Sequence, residues 1–169
     1  MTATIVMAKC TGTNASTTAT VTSIALKAVD DATGAPTEGN DASNHPVSIP
    51  SSGTSYSYET WLRWYCTGAP DNQCTNFKFW STGSLDTGLD ITANSDAVSA
   101  GVTPVNTESS AGTRASWADY GSGSKISVSG TLTGTGQSTD FIVLQLEVLN
   151  TATQGDMSTE TAYYSYDEN

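Results

Sequence analysis

The stretch "YETWLRWYCTGAPDNQCTNFKFW", residues 58–80, decides the fold of this chain. It holds three of the four tryptophans, two of the three cysteines and two of the three phenylalanines. On both sides of the polar loop TGAPDNQ, side chains alternate with a period of two, which is typical of β-strands. The stretch therefore predicts two strands, residues 55–67 and 74–81, that pair around the loop and supply aromatic side chains to a core.

The same alternation divides the first of these strands into two faces. Leu62, Trp64 and Cys66 share the face that is expected to lie in the core. The opposite face mixes aromatic and charged residues, as expected where a loop or another subunit covers a sheet. Because Trp, Tyr and Arg are enriched at protein interfaces, four residues are interface candidates. They are Trp61, Arg63 and Tyr65 on this face of the first strand, and Trp80 on the second strand. Exposed aromatic rings on a sheet also stack on sugars, so a glycan-binding platform is the alternative for this face.

The rest of the chain has the composition of a β-protein. Only 14% of its residues are charged, and Thr, Ser and Gly are abundant, which favours strands and turns over helices. Further strands are predicted at residues 2–8, 19–28, 85–93, 124–134, 139–149 and 160–168. About eight short strands separated by turn residues indicate an all-β fold, an antiparallel, jelly-roll-like β-sandwich.

No change of composition divides the chain, so residues 1–169 are expected to form a single domain. Two segments rich in Gly, Pro, Asn, Asp or Ser predict long loops, at residues 29–46 and 94–123. An N-terminal arm is expected within residues 1–18. Residues 1–10 also form a second interface candidate, because a terminal strand readily adds to the sheet edge of a neighbour.

The charge of the chain argues against two classes of partner. Its formal net charge is −11, and its six basic residues are scattered along the sequence. Nucleic-acid binding and attachment to an anionic membrane are therefore not expected. The amino terminus, MTATIVMAKC, lacks the basic leader and apolar core of a signal peptide. The expectation is synthesis in the cytoplasm without export by that route.

The cysteines leave two alternatives open. Cys66 and Cys74 flank the predicted hairpin loop, where facing positions approach the Cα separation of about 5.5 Å that a disulfide prefers. They are either free buried thiols or a disulfide that forms after release into an oxidising medium, and Cys10 is left over. With three cysteines, one histidine (His45) and no C-x₂-C spacing, no metal site and no cofactor are predicted.

Motifs for catalysis are missing from the sequence. His45 lies before a proline in a predicted loop, and no G-x-S-x-G nucleophile elbow accompanies it. Neither of the common glycine-rich phosphate-binding motifs occurs. The chain is therefore not expected to be an enzyme.

Two segments carry a resemblance to a known class of proteins. They are "YSYETWLRWYCTGAPDNQCTNFKFWSTGSLDTGLDI" and "DFIVLQLEVLNTATQGDMSTETAYYSYDE", within residues 55–92 and 139–168. Each joins strands through glycine-containing turns, and the second ends in a Thr/Tyr-rich strand with acidic residues. Together they resemble virion structural proteins of tailed bacteriophages, specifically the β-sandwich decoration (cement) proteins of phage heads.

The resemblance implies a non-enzymatic protein that binds the major capsid protein of an assembled phage head and stabilises the shell. It further implies a homotrimer on the capsid surface of the virion, made in the cytoplasm of the host. Two other functions stay open: a carbohydrate- or receptor-binding module of a tail fibre, and a building block of a tail or fibre.

Overall fold

A computed structural model describes residues 2–11, 17–28, 45–96, 115–155 and 157–169. In those residues a one-turn 3₁₀ helix, Trp117–Asp119, accompanies ten β-strands. The strands are Thr4–Thr11 (β1), Thr17–Thr20 (β2), Thr54–Tyr56 (β3), Thr60–Gly68 (β4), Cys74–Thr82 (β5), Leu89–Asp96 (β6), Ala115–Ser116 (β7), Ile126–Val128 (β8), Phe141–Leu149 (β9) and Thr161–Glu168 (β10). Within the described ranges, no helix has the length and apolar character needed to cross a membrane.

The strands form two antiparallel sheets of unequal size. The larger sheet has seven strands in the order β2-β1-β4-β9-β6-β7, with β3 also paired to β9. The smaller sheet has three strands in the order β10-β5-β8. The predicted all-β, antiparallel β-sandwich is therefore confirmed. The described residues contain ten strands instead of about eight, since the predicted strand 55–67 is divided into β3 and β4 and the two-residue β7 adds a short strand within the region 94–123.

One apolar cluster occupies the space between the two sheets. Leu62, Trp64 and Cys66 of β4 belong to it and are at most 3% exposed, which confirms the predicted core face of this strand. The Trp64 ring packs against Phe77 and Phe79 of β5, with centroid separations of 5.5 and 6.5 Å. These aromatic contacts bridge the two sheets and dominate the core, because large rings bury the most apolar area.

The predicted pairing of the two strands around residues 67–73 is wrong. β4 lies in the larger sheet and β5 in the smaller one, so the connection at residues 69–73 crosses from one sheet to the other. Alternation identifies which face of a strand is buried, but it does not identify the strand beside it. Two strands that each have one apolar face can bury both faces by stacking in opposite sheets, about 10 Å apart, and this chain does so.

The structure places part of the expected N-terminal arm, residues 1–18, in the larger sheet. Residues 4–11 of the predicted arm, 1–18, form β1, which pairs with β4 on one side and with β2 on the other. Ile5 and Met7 of β1 are buried in the shared core, and this burial explains why the segment joins the sheet. Because β2 pairs only with Ala8–Thr11, the first residues of β1 have a neighbouring strand, β4, on one side only, and the second interface candidate, residues 1–10, stays a prediction.

The predicted loops are only partly described. Residues 29–44 and 97–114 lie outside the described part of the chain, which covers most of the expected loops at 29–46 and 94–123. Of the remainder, residues 94–96 complete β6, and residues 115–116 form β7. The predicted strand 19–28 is regular only as far as Thr20, the end of β2.

Between β3 and β4, residues 57–59 leave the regular ladder with β9. Ser57 is fully buried there, and its Oγ accepts a hydrogen bond of 2.9 Å from the backbone N–H of Leu146. The Ser57 backbone N–H donates to the Leu146 carbonyl, also at 2.9 Å, and the Gln145 side-chain amide donates to the Ser57 carbonyl at 2.8 Å. A serine side chain thus replaces a backbone acceptor where the strand is interrupted, and the buried polar groups stay paired.

Candidate interaction surface

The outer face of the smaller sheet carries a cluster of aromatic and basic side chains. Phe77 and Phe79 of β5 point into the core, so the residues between and after them, Lys78 and Trp80, point outward. Trp80 lies directly opposite Tyr163 of β10. We call the group formed by Trp80, Tyr163, Lys78 and Lys125 the outer patch.

Trp80 is held between two neighbours. Its ring stacks on that of Tyr163, with centroids 5.6 Å apart and an interplanar angle of 14°. The Lys125 Nζ lies 3.9 Å from the centroid of the Trp80 ring, in cation–π contact. Because β10 and β8 flank β5 on opposite sides, Tyr163 and Lys125 approach Trp80 from opposite sides. Both contacts fix the indole in place, so the outer patch is preorganised.

Polar contacts surround these rings. The Lys78 Nζ donates a hydrogen bond of 2.7 Å to the Ser127 Oγ on β8. At the other end of β5, Asn76 has a positive φ of 54°, and its side-chain amide donates to Asp167 at 2.8 Å. Two of the six basic residues of a chain with a net charge of −11 therefore lie on this small face. The outer patch joins an aromatic centre to local positive charge, a combination that suits protein interfaces.

Of the four predicted interface residues, only Trp80 belongs to the outer patch. Trp61, Arg63 and Tyr65 project from β4 on the outer face of the larger sheet, because Leu62 and Trp64 between them face the core. Since β4 and β5 lie in different sheets, the two groups are on opposite sides of the molecule. The structure therefore does not bring the four candidates together into one surface.

Trp61 is also buried, and this corrects its prediction as an interface residue. It is 4% exposed and forms a second, smaller cluster with Cys10, Phe141 and Val143. Its indole N–H donates to Glu59 at 2.7 Å, and its ring meets Phe141 edge-on with centroids 5.0 Å apart. The sequence does contain a signal for this cluster, because both faces of the predicted strand 139–149 are apolar at its beginning.

Arg63 and Tyr65 are half-buried. The Arg63 guanidinium lies 5.3 Å from the centroid of the Phe141 ring, so Arg63 covers the second cluster. Tyr65 forms a backbone bridge with Ser138. The contact with Phe141 explains the half-burial of Arg63, whereas the bridge at Tyr65 involves only its backbone, so both residues stay predictions as interface residues.

The three cysteines are free and buried. The Cys66 thiol donates to the Gly68 carbonyl at 3.3 Å, and burial raises its pKa. Burial also raises the pKa of Cys74, and the nearby Glu168 and Cys66 add to the effect. Burial raises the pKa of Cys10 to about 11, against the opposing charge of Arg63. Thiols with raised pKa values are poor nucleophiles at neutral pH. The disulfide between Cys66 and Cys74 stays a prediction.

A cleft of about 950 Å³ lies between the inner face of β6 and β9, the irregular segments 22–26, 46–49, 152–155 and 157–160, and the beginning of β10. Ile91, Leu144 and Val148 line it, yet each is at most 4% exposed. The irregular segments therefore already cover the apolar floor of the cleft. Among the described residues, no group of three or more His, Cys, Asp or Glu side chains is placed to hold a metal ion.

The fold and the outer patch define an antiparallel β-sandwich with a preorganised aromatic and basic surface on its smaller sheet. No protein-family model matches the chain, and neither the curated proteins nor the solved structures include a match.

Proposed function

We propose that the chain is a non-enzymatic structural protein of a tailed-phage virion. In this proposal it decorates the assembled head by binding the major capsid protein, and the outer patch is its contact surface. The observation that carries the proposal is the stacked pair of Trp80 and Tyr163 with Lys125 against it.

The position of the outer patch supports this choice. Trp80 lies in the first of the two segments that resemble head decoration proteins, and Tyr163 lies in the second. The pairing of β5 with β10 joins the two segments, and the patch forms where they meet. The resemblance and the exposed surface thus involve the same two strands.

The physical action of such a protein is simple. A small domain that binds the assembled shell, but not its free subunits, stabilises the shell by mass action. Contacts to more than one capsid subunit strengthen this effect through the high effective concentration of the second contact. A rigid patch favours binding, because its side chains lose little conformational freedom on contact.

A glycan-binding module is less well supported. A sugar ring stacks on an open aromatic face, but Tyr163 and Lys125 approach the two sides of the Trp80 ring. The exposed part of Tyr163 is the remaining aromatic surface of the patch, since this residue is 42% exposed. The other alternative, a building block of a tail or fibre, would polymerise in solution. Sedimentation equilibrium of the protein alone detects such a polymer.

The test is co-sedimentation of the purified protein with phage heads assembled without it. We expect saturable binding, and we expect Trp80→Ala to weaken it by about tenfold or more, as for an aromatic residue at the centre of an interface. The control is Leu149→Ala, which truncates an exposed apolar side chain, 40% exposed, on the larger sheet. Folded wild-type protein that does not sediment with heads would refute the proposal, and binding to a glycan array in that case would establish the alternative.

A further inference from the structure

Among the described residues, β10 is an edge strand with a free side. It pairs with β5 through residues Thr161–Glu168, and no other strand of the described residues lies beside it. At about 3.4 Å per residue, eight residues present an edge of roughly 24 Å. A row of unpaired backbone N–H and C=O groups of this length is a template for another strand.

β10 lacks two common protections of such an edge and carries charge only at its end, at Asp167 and Glu168. Its sequence, TAYYSYDE, has no proline and no lysine, the two residues that most often prevent pairing at an edge. The register shift between β10 and β5 arises on β5, where Phe77 and Asn76 lie opposite the single residue Tyr166 of β10. β10 itself therefore remains regular along its free side.

Both faces of the sheet are open at this edge. Tyr163 points to the outer face and is 42% exposed. Tyr164 points inward, where its ring meets Trp64 edge-on with centroids 6.2 Å apart, yet it is 45% exposed. Ala162, also on the inward face, is exposed as well. An incoming strand therefore finds space on both sides of the sheet and an aromatic ring on each.

We propose that the free edge of β10 binds the β10 of a second copy of this chain. The two strands run antiparallel about a twofold axis and join the smaller sheets of the two copies into one continuous sheet of six strands. The pairing makes the same surface complementary to itself, as a twofold interface requires.

Side-chain direction and charge select one register. In an antiparallel pair, residues directly opposite each other point to the same face of the sheet. The twofold axis therefore places one residue opposite its own copy, and near the middle of β10 this residue is either Tyr164 or Ser165. Pairing about Tyr164 places Glu160 opposite Glu168 of the second copy, and like charges in this position are destabilising. Pairing about Ser165 places Tyr164 opposite Tyr166 and leaves no carboxylate opposite another. The Ser165 register is therefore the one that forms.

The first measurement is the mass of the protein alone by sedimentation equilibrium over a range of concentrations. We expect the mass to rise from the 17.5 kDa of one chain to twice that value. Each copy carries a net charge of −11, so added salt is expected to strengthen the association as the Debye length falls to about 8 Å at physiological salt. A monomer at all concentrations, or a mass of three chains as the resemblance implies, would overturn the inference.

The second measurement tests the register with Ser165→Cys under oxidised glutathione. Directly opposite residues have Cα atoms about 4.5–5.5 Å apart, within the range of a disulfide, so this variant is expected to cross-link to itself. The matched control is Ser127→Cys on β8, at the other edge of the same sheet. Equal cross-linking of the two variants would contradict the pairing through β10.

The third measurement uses charge at the axis. Ser165→Glu places two carboxylates face to face across the axis, while Lys78 opposite it on β5 supports the fold of each copy. We expect a dissociation constant higher by about tenfold or more, with recovery when this variant is mixed with Ser165→Lys. An unchanged dissociation constant would overturn the inference. All three measurements use the protein without phage heads, so their outcome is separate from that of the proposed function.

Discussion

Removing the hydroxyl of Ser57 tests whether this side chain replaces a ladder acceptor in the larger sheet. Ser57→Ala keeps the size of the side chain nearly unchanged but leaves the Leu146 N–H without the acceptor that now lies 2.9 Å away. Ser57 is fully buried and Leu146 is 7% exposed, so water does not readily replace the lost partner. A buried donor left unpaired costs about 1–3 kcal/mol, and we expect a loss of about 2 kcal/mol in the free energy of unfolding.

The assay is urea unfolding followed by tryptophan fluorescence. With a slope of about 2 kcal/mol per molar urea, the midpoint is expected to fall by about 1 M. Ser127→Ala is the matched control, because it removes a serine hydroxyl from an exposed hydrogen bond to Lys78 and is expected to change stability by at most about 0.5 kcal/mol. Hydrogen exchange of the Leu146 amide adds a local measurement. If Ser57→Ala matched the control in stability and left the Leu146 amide equally protected, the reasoning would be refuted.

Three further predictions concern other parts of the fold. Oxidised glutathione is expected to join Cys66 to Cys74, and closing this loop of nine residues should stabilise the protein by about 2.6 kcal/mol. Thiol titration measures the bond, and urea unfolding measures the gain in stability. Three thiols that persist after refolding in the oxidant would contradict this prediction. The second prediction concerns Cys10, whose pKa is about 11 in the folded protein against an ordinary value of 9.0. Between these pH values unfolding therefore releases a proton from the thiol. About 2–3 kcal/mol of stability should be lost as the pH rises from 9 to 11. Cys10→Ala should lose correspondingly less in urea unfolding at these pH values, and equal losses in both proteins would exclude Cys10 as the cause. The third prediction concerns Gly88, which has a φ of +80° and where a side chain would meet the backbone of Ala152. Gly88→Ala is therefore expected to lower the free energy of unfolding by about 1–3 kcal/mol. An unchanged thermal midpoint would contradict this prediction.

The sequence determined which side chains of β4 and β9 lie between the two sheets. Alternation in residues 60–66 placed Leu62 and Trp64 in the core, and alternation in residues 141–149 did the same for Ile142 and Leu144. This information is local, because successive side chains of any strand point to opposite sides of its sheet. The class of fold followed from the same patterns, together with the turn residues between them.

The neighbours of each strand were decided only by the tertiary structure. β4 and β5 are consecutive in the chain but lie in different sheets, and for this reason the four predicted interface residues do not share a surface. The burial of Trp61 likewise depends on Phe141 and Cys10, which come from distant strands.

The outer patch shows the same division. The sequence identified Trp80 as an outward-facing aromatic residue, but Tyr163 and Lys125 reach it only because β10 and β8 flank β5. Which strands become neighbours depends on the total apolar area that each arrangement buries between the sheets. That sum includes contacts from the whole chain, whereas the direction of a side chain is set by the backbone of its own strand.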